Sequence, residues 1–187
     1  MKTRLIVAIT GSSGAILGIK TLEVLKDYKD IETHLLVSRS AEKIITLETS
    51  YSVEDVKKLA DICYNIDELD APLSSGSYTT GGMLIIPCSG KTLAGIANGF
   101  SANLILRAAE VTLKERRKMV LAVRESPLNA IHLENMLKLA RLGVVIIPPV
   151  LGFYTLPKSL EDIANYIVGK ALDQFGIKHD LFKRWRS

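Results

Sequence analysis

Apolar residues along this chain come in short unbroken runs rather than in alternation with polar ones. The runs lie at Arg4–Thr10, Thr33–Ser38, Met83–Pro87, Met119–Val123 and Val144–Ile147, lengths that suit strands covered on both faces. Between them, apolar positions return at helical spacing over Ile16–Tyr28, Ala41–Thr49, Thr92–Ala97, Ala102–Arg116, Leu128–Leu142 and Leu160–Phe175. This alternation predicts an α/β fold of three layers, a parallel sheet with helices on both faces. Ligands of such sheets gather at the carboxyl ends of the strands. The segments that follow the runs, "TGSSG", "SRSA", "PCSGKT", "RESP" and "PPVLGFY", are small, hydroxylated or charged, so one rim collects the chemistry. Asp70–Gly82 breaks the alternation and is expected to be a long flexible connection.

Length and composition narrow the picture. A chain of 187 residues is expected to form a single domain over 1–187, since about 150 residues per domain is the usual measure. Its 48% hydrophobic and 24% charged content excludes a disordered chain. The net charge of +4 is densest at Lys114, Arg116, Arg117 and Lys118, where no aromatic residues interleave. That cluster reads as a solvated helix end, and no nucleic-acid partner is expected. Cys63 and Cys88 are too few for a disulfide framework or a zinc site, which points to a reducing, cytoplasmic setting. The apolar run Leu5–Ile9 is too short for a signal peptide, and no run nears the roughly 18 residues of a membrane span.

The loops carry the candidate chemistry. "GSSGAILG" puts glycines at 11, 14 and 18, not at dinucleotide spacing, and "HLLVSRS" offers Ser38 and Arg39 but no acid to grip a ribose. Two adjacent serines, Ser12 and Ser13, between strand and helix instead suit a phosphate at a helix N-terminus. "SGKT", Ser89–Thr92, ends like a nucleotide-hydrolysing loop, but position 85 is Ile, where that motif needs glycine. What remains is a proline-stiffened turn that opens a helix toward the same rim. Arg124 and Glu125 follow a strand and suit anion recognition and proton transfer, and Tyr154 follows a double proline. Cys88 lacks a base, because His34, His132 and His179 fall in a strand, a helix and the tail, so core or rim packing is its expected fate. His132 is expected to be a core or interface histidine, and no metal is expected.

Longer segments narrow the reading further. "TGSSGAILG", "SGSYTTGGMLIIPCSGKTLAGIANGFSANLILRAAEVTLKERRKMVL", "RESPLNAIHLENMLKLARLGVVIIPP" and "GFYTLPKSLEDIANYIVGKALDQFGI", with "RW" at 184 and 185, together resemble the UbiX-type flavin prenyltransferase family, in order and through almost the whole chain. The resemblance implies a flavodoxin/Rossmann-like domain that binds FMN and assembles into a dodecamer. It implies transfer of a dimethylallyl group from dimethylallyl monophosphate to reduced FMN, giving prenylated FMN for partner decarboxylases of the UbiD type.

By matching position, the resemblance assigns FMN contacts to Gly11, Ser12, Ser13, Ser38, Ser89, Gly90, Lys91, Thr92 and Arg124. It assigns the prenyl phosphate to Ser13, Arg107, Lys114, Glu125, Tyr154 and Lys170. Ser13, Glu48 and Glu125 become the catalytic set, with proton transfer as their task. Lys170 stands where some members have arginine, so a point charge replaces a planar fork. The tail, about 176–187, is expected near the active site or a neighbouring subunit. Two rivals are weaker: an FMN-dependent cysteine decarboxylase would carry a "PxMNxxMW" motif, absent here, and a flavin carrier needs no second phosphate site.

Overall fold

The computed structural model describes residues 2–186; Met1 and Ser187, the ends of the expected domain, lie outside the described residues. Six strands form one sheet: β1 (Thr3–Ile9), β2 (Ile31–Val37), β3 (Ile62–Tyr64), β4 (Gly82–Cys88), β5 (Met119–Val123) and β6 (Val145–Ile146). All pairings are parallel, in the order β3-β2-β1-β4-β5-β6. This is the doubly wound order of the Rossmann type, so the chain reverses direction between β1 and β4 and opens a crevice there.

The helices are α1 (Ala15–Leu25), α2 (Arg39–Glu48), α3 (Val53–Lys57), α4 (Gly90–Ala97), α5 (Leu104–Lys114), α6 (Ala130–Arg141) and α7 (Leu160–Asp173), with 3-10 turns at Pro72–Ser74 and Phe153–Thr155. Most begin on a residue suited to the task. Ser38, Ser52, Ser89, Asn103, Asn129 and Ser159 each accept a backbone N–H of the first turn of α2 to α7, satisfying a donor that the helix cannot. α1 is the exception, with Gly14 at its start and no side-chain cap.

The unbroken apolar runs make two cores. Leu5, Val7 and Ile9 of β1 and Leu84 and Ile86 of β4 join residues of α1, α2 and α7 on one face. Ile6 and Ala8, with Met83 and Ile85, join α4 and α5 on the other. Every residue of β4 and β5 is buried, and each large apolar side chain so placed contributes about 1.5–3 kcal/mol.

Three expectations are corrected. β3 and α3 were not expected; β3 is three residues long and pairs at the sheet edge with His34–Leu36, and α3 has five residues, too short for periodicity to register. Helix ends also differ from the apolar pattern, because the capping residue sets the start: α6 begins at Ala130 rather than Leu128, behind Asn129, and α4 at Gly90 rather than Thr92, behind Ser89. The Asp70–Gly82 connection is fastened rather than flexible. Arg117 donates to the carbonyls of Tyr78 (2.9 Å) and Gly76 (2.6 Å), Arg4 donates to Thr79 (3.3 Å), and Pro72–Ser74 forms a helical turn. Part of the supposed solvated basic cluster therefore ties down a loop.

Candidate active site

The crevice between β1 and β4 opens at the carboxyl ends of the strands, and short bonds fix its floor. Thr10, fully buried, donates its hydroxyl to the Pro87 carbonyl (2.8 Å) and accepts the Ser89 N–H (2.8 Å). The two central strands are thereby locked where their loops diverge. Ser38 N–H reaches back to Ile9 O (3.0 Å) and its hydroxyl caps α2, which draws the second loop to the same place. Gly11 permits the closest approach: a Cβ there would run into the Ser40 side chain.

These loops surround a cavity of about 690 Å³, within the range of small-molecule sites. Gly11, Ser12, Ser13, Ser38, Ser89, Gly90, Lys91, Thr92, Arg124 and Glu125 all line it. Residues that the sequence placed on four separate loops thus meet at one opening. Two helices point their N-termini toward it, α1 behind Ser12–Gly14 and α4 behind Ser89. Ser12 Oγ is buried and has no protein partner, an orphaned hydroxyl that a bound phosphate would satisfy. The donors present, hydroxyls, helix N–H groups, Lys91 and Arg124, suit a phosphate compound such as FMN.

Glu48 sits at the edge, where its Oε2 accepts the Gly14 N–H at 2.7 Å. Burial pushes its carboxyl upward, but hydrogen bonds from the Ser13 hydroxyl and the Gly14 and Ala15 N–H groups, with the Arg124 charge, outweigh it and hold the group below the ordinary carboxylate range. Two of the three expected catalytic residues, Ser13 and Glu48, are therefore neighbours, linked through the Gly14 N–H. Cys88 is buried below them, and desolvation pushes its thiol up to about 12. It is a core thiol, as expected, and no nucleophile.

The remaining expected residues do not reach this cavity. Arg107 turns to Glu110 (2.9 Å) and the Ser74 carbonyl (3.2 Å). Lys114 pairs with Glu115 at the far end of α5, about 15 Å of helix from its start. Lys170 lies 3.9 Å from Asp173 on α7, and Tyr154 packs edge-on against Tyr166 and Trp185. The tail folds onto α7: Arg184 grips Asp173 through two bonds (2.7 and 3.1 Å), and His179 meets the Gly169 carbonyl at 2.9 Å.

Sequence reasoning missed other lining residues. Arg39 and Asp67, an ion pair across the mouth, escaped because Asp67 follows the unexpected β3. Asn103 and His132 also line the cavity. His132 is half-buried rather than a core residue: as the third residue of α6 it closes a capping box with Asn129, and the Asn-x-x-His spacing is the signal that could have placed it.

Residues 1–172 match the family described as Flavoprotein. The chain belongs to the Flavoprotein family. This flavoprotein is 50% identical over 184 residues, 98% of its own length and 97% of the relative's, to a probable UbiX-like flavin prenyltransferase from Sedimentibacter hydroxybenzoicus. Two solved structures superpose on nearly all of it. One is a dodecameric FMN-dependent UbiX-like decarboxylase from Escherichia coli O157:H7, with TM-score 0.97 and 49% identity over 99% of this chain and 100% of that one. The other is AnUbiX (PadA1) in complex with FMN and dimethylallyl pyrophosphate, with TM-score 0.98 and 48% identity over 100% of this chain and 99% of that one. The UbiX-type resemblance read from the sequence holds over almost the full chain.

Proposed function

We propose that this flavoprotein is a flavin prenyltransferase, which joins a dimethylallyl group from dimethylallyl monophosphate to reduced FMN and delivers prenylated FMN to decarboxylases of the UbiD type. The observation that carries the reading is the convergence of every expected FMN residue, with Glu125, on one cavity. Reduced FMN supplies the electron-rich ring that accepts the allyl carbon.

The chain's own part is to hold two phosphate compounds and manage charge. As the allylic C–O bond breaks, its electron pair leaves on phosphate, whose oxygens need fixed donors and cations. At the cavity, Arg124, Lys91 and the N–H groups at the start of α4 hold FMN, and the Ser13 hydroxyl reaches the departing phosphate. Arg107, Lys114, Tyr154 and Lys170 supply the rest by coming from other subunits of an oligomer, in our reading a dodecamer. Large apolar side chains left bare on the outside, such as Phe153 (74% exposed), Leu160 (84%) and Leu47 (80%), support burial between copies. Ser13 and Glu125 pass a proton between flavin and phosphate, and Glu48 assists as a carboxylate at the cavity edge. We further read the chain as one FMN-binding domain of the cytoplasm, whose tail lies beside α7 at a subunit boundary; among the described residues no helix is long and apolar enough to cross a membrane.

Anaerobic incubation of the protein with reduced FMN and dimethylallyl monophosphate, followed by mass spectrometry of the flavin, tests the reading. A flavin heavier by one C5H8 unit is expected. Unaltered FMN, with both compounds bound, rejects it.

A further inference from the structure

Three histidines are present, and two have both ring nitrogens satisfied inside the fold. His34 meets Tyr64 and Glu32, each at 2.8 Å. His179 meets the Gly169 carbonyl at 2.9 Å and the Leu181 N–H at 3.3 Å. His132 differs. Its Nδ1 accepts the Asn129 backbone N–H at 3.4 Å, while the Asn129 side chain accepts the His132 N–H at 2.9 Å. A nitrogen that accepts carries no proton, so the neutral ring bears its hydrogen on Nε2, and among the described residues Nε2 has no protein acceptor.

That hydrogen faces the cavity. A Cβ added at Gly90 would lie 3.2 Å from His132 Nε2 and 3.5 Å from Glu125 Oε2, so glycine keeps open a space that both atoms border. The space lies over the first residue of α4, where helix N–H groups favour an anion, and the cavity also holds the orphaned Ser12 hydroxyl. We propose that His132 is a further ligand-positioning residue, whose Nε2–H is a donor of fixed direction to an anionic phosphate oxygen beside Glu125. The oxygen belongs either to FMN or to the prenyl phosphate, and only the second alternative rests on the prenyl-transfer reading.

Two substitutions separate the donor from the helix cap. His132→Asn keeps an acceptor near Nδ1 for the Asn129 N–H and leaves no donor at the place of Nε2, its amide being one bond shorter; His132→Gln returns an amide N–H near the place of Nε2. Wild type and both variants are titrated with FMN and riboflavin by fluorescence and with dimethylallyl monophosphate by calorimetry. His132→Asn should weaken FMN or the prenyl phosphate about tenfold, the loss of one charge-assisted hydrogen bond, and leave riboflavin unchanged, while His132→Gln recovers to within about threefold. The titration that moves identifies whose phosphate is held. Wild-type binding of both compounds by His132→Asn overturns the proposal, as does an equal loss in His132→Gln or an equal loss for riboflavin. Should asparagine unfold the start of α6, His132→Gln decides alone: near-wild-type binding is expected, and a tenfold loss overturns. Failure of the wild type to bind dimethylallyl monophosphate removes the prenyl-transfer reading, and the FMN titration then decides the role of His132.

Discussion

The cavity and the outer cations are built in opposite ways. Around the cavity, backbone does the positioning: Thr10 ties β1 to the β4 exit, Ser38 and Ser89 cap the helices that follow two of its loops, and Gly11 lets two loops touch. One chain suffices to assemble it. Arg107, Lys114 and Lys170 instead stand on helix surfaces, each beside an acid of its own helix or helix end, Glu110, Glu115 and Asp173. Exposed pairs of this kind contribute little to stability, about 0–1 kcal/mol, and are readily re-formed with a different anion. The flavin half of the site is thus gathered by the fold of one chain, whereas the prenyl phosphate half, as we propose, is completed by the assembly.

The largest expected effect strikes the preformed half. Gly11→Val forces the first loop away from Ser40 and should cost about 1–3 kcal/mol of stability by overpacking, together with at least a tenfold loss of FMN affinity. Wild-type melting and FMN titration in that variant would show that the loops are not in tight contact. A paired test comes next. Arg124→Ala should weaken FMN about tenfold or more, since it removes a charged donor from the cavity, whereas Lys170→Ala should leave FMN affinity within about twofold and raise the KM for dimethylallyl monophosphate about tenfold. Equal effects of the two on FMN would erase the distinction between the halves.

How far this was legible beforehand follows from what each feature depends on. The central strands and the four cavity loops showed in the sequence because burial on both faces demands unbroken apolar runs and phosphate binding demands small residues directly after them. β3 left no such trace, as Ile62 and Tyr64 are only partly covered at the sheet edge, and Asp67 was lost with it. His132 was not placed at the cavity because helical periodicity describes which face is apolar and says nothing about a side chain turned back to cap its own helix. Arg107, Lys114 and Lys170 came from family resemblance alone, and Tyr154 showed only as a tyrosine after a double proline; no local pattern marks a residue proposed to act at another subunit.

Smaller effects sharpen the comparison at the cavity edge. The Glu48 carboxyl is held below its unfolded value of 4.5, so its hydrogen bonds stabilise the fold above that pH and lose their contribution as pH falls through the lower folded value. Glu48→Gln should therefore destabilise the protein at pH 7, by under about 1 kcal/mol for so exposed a group, and the gap from wild type should close in acid. Urea unfolding at both pH values checks this; a gap that widens in acid reverses the sign. Smallest of all is Cys88→Ala, which should leave turnover unchanged because the thiol is buried and protonated. A lost turnover with FMN still bound would give that sulfur a chemical role.

Mixed assemblies test the central claim most directly. Arg124→Ala, defective in the cavity, and Lys114→Ala, defective in an outer cation, are each prepared alone and then dissociated and reassembled together. If one subunit's cavity is completed by another's cations, the mixture contains sites with both groups intact, and it should form prenylated flavin at a rate well above either parent. A mixture no faster than its parents, in assemblies shown to contain both chains, would mean that each chain completes its own site and would contradict the account.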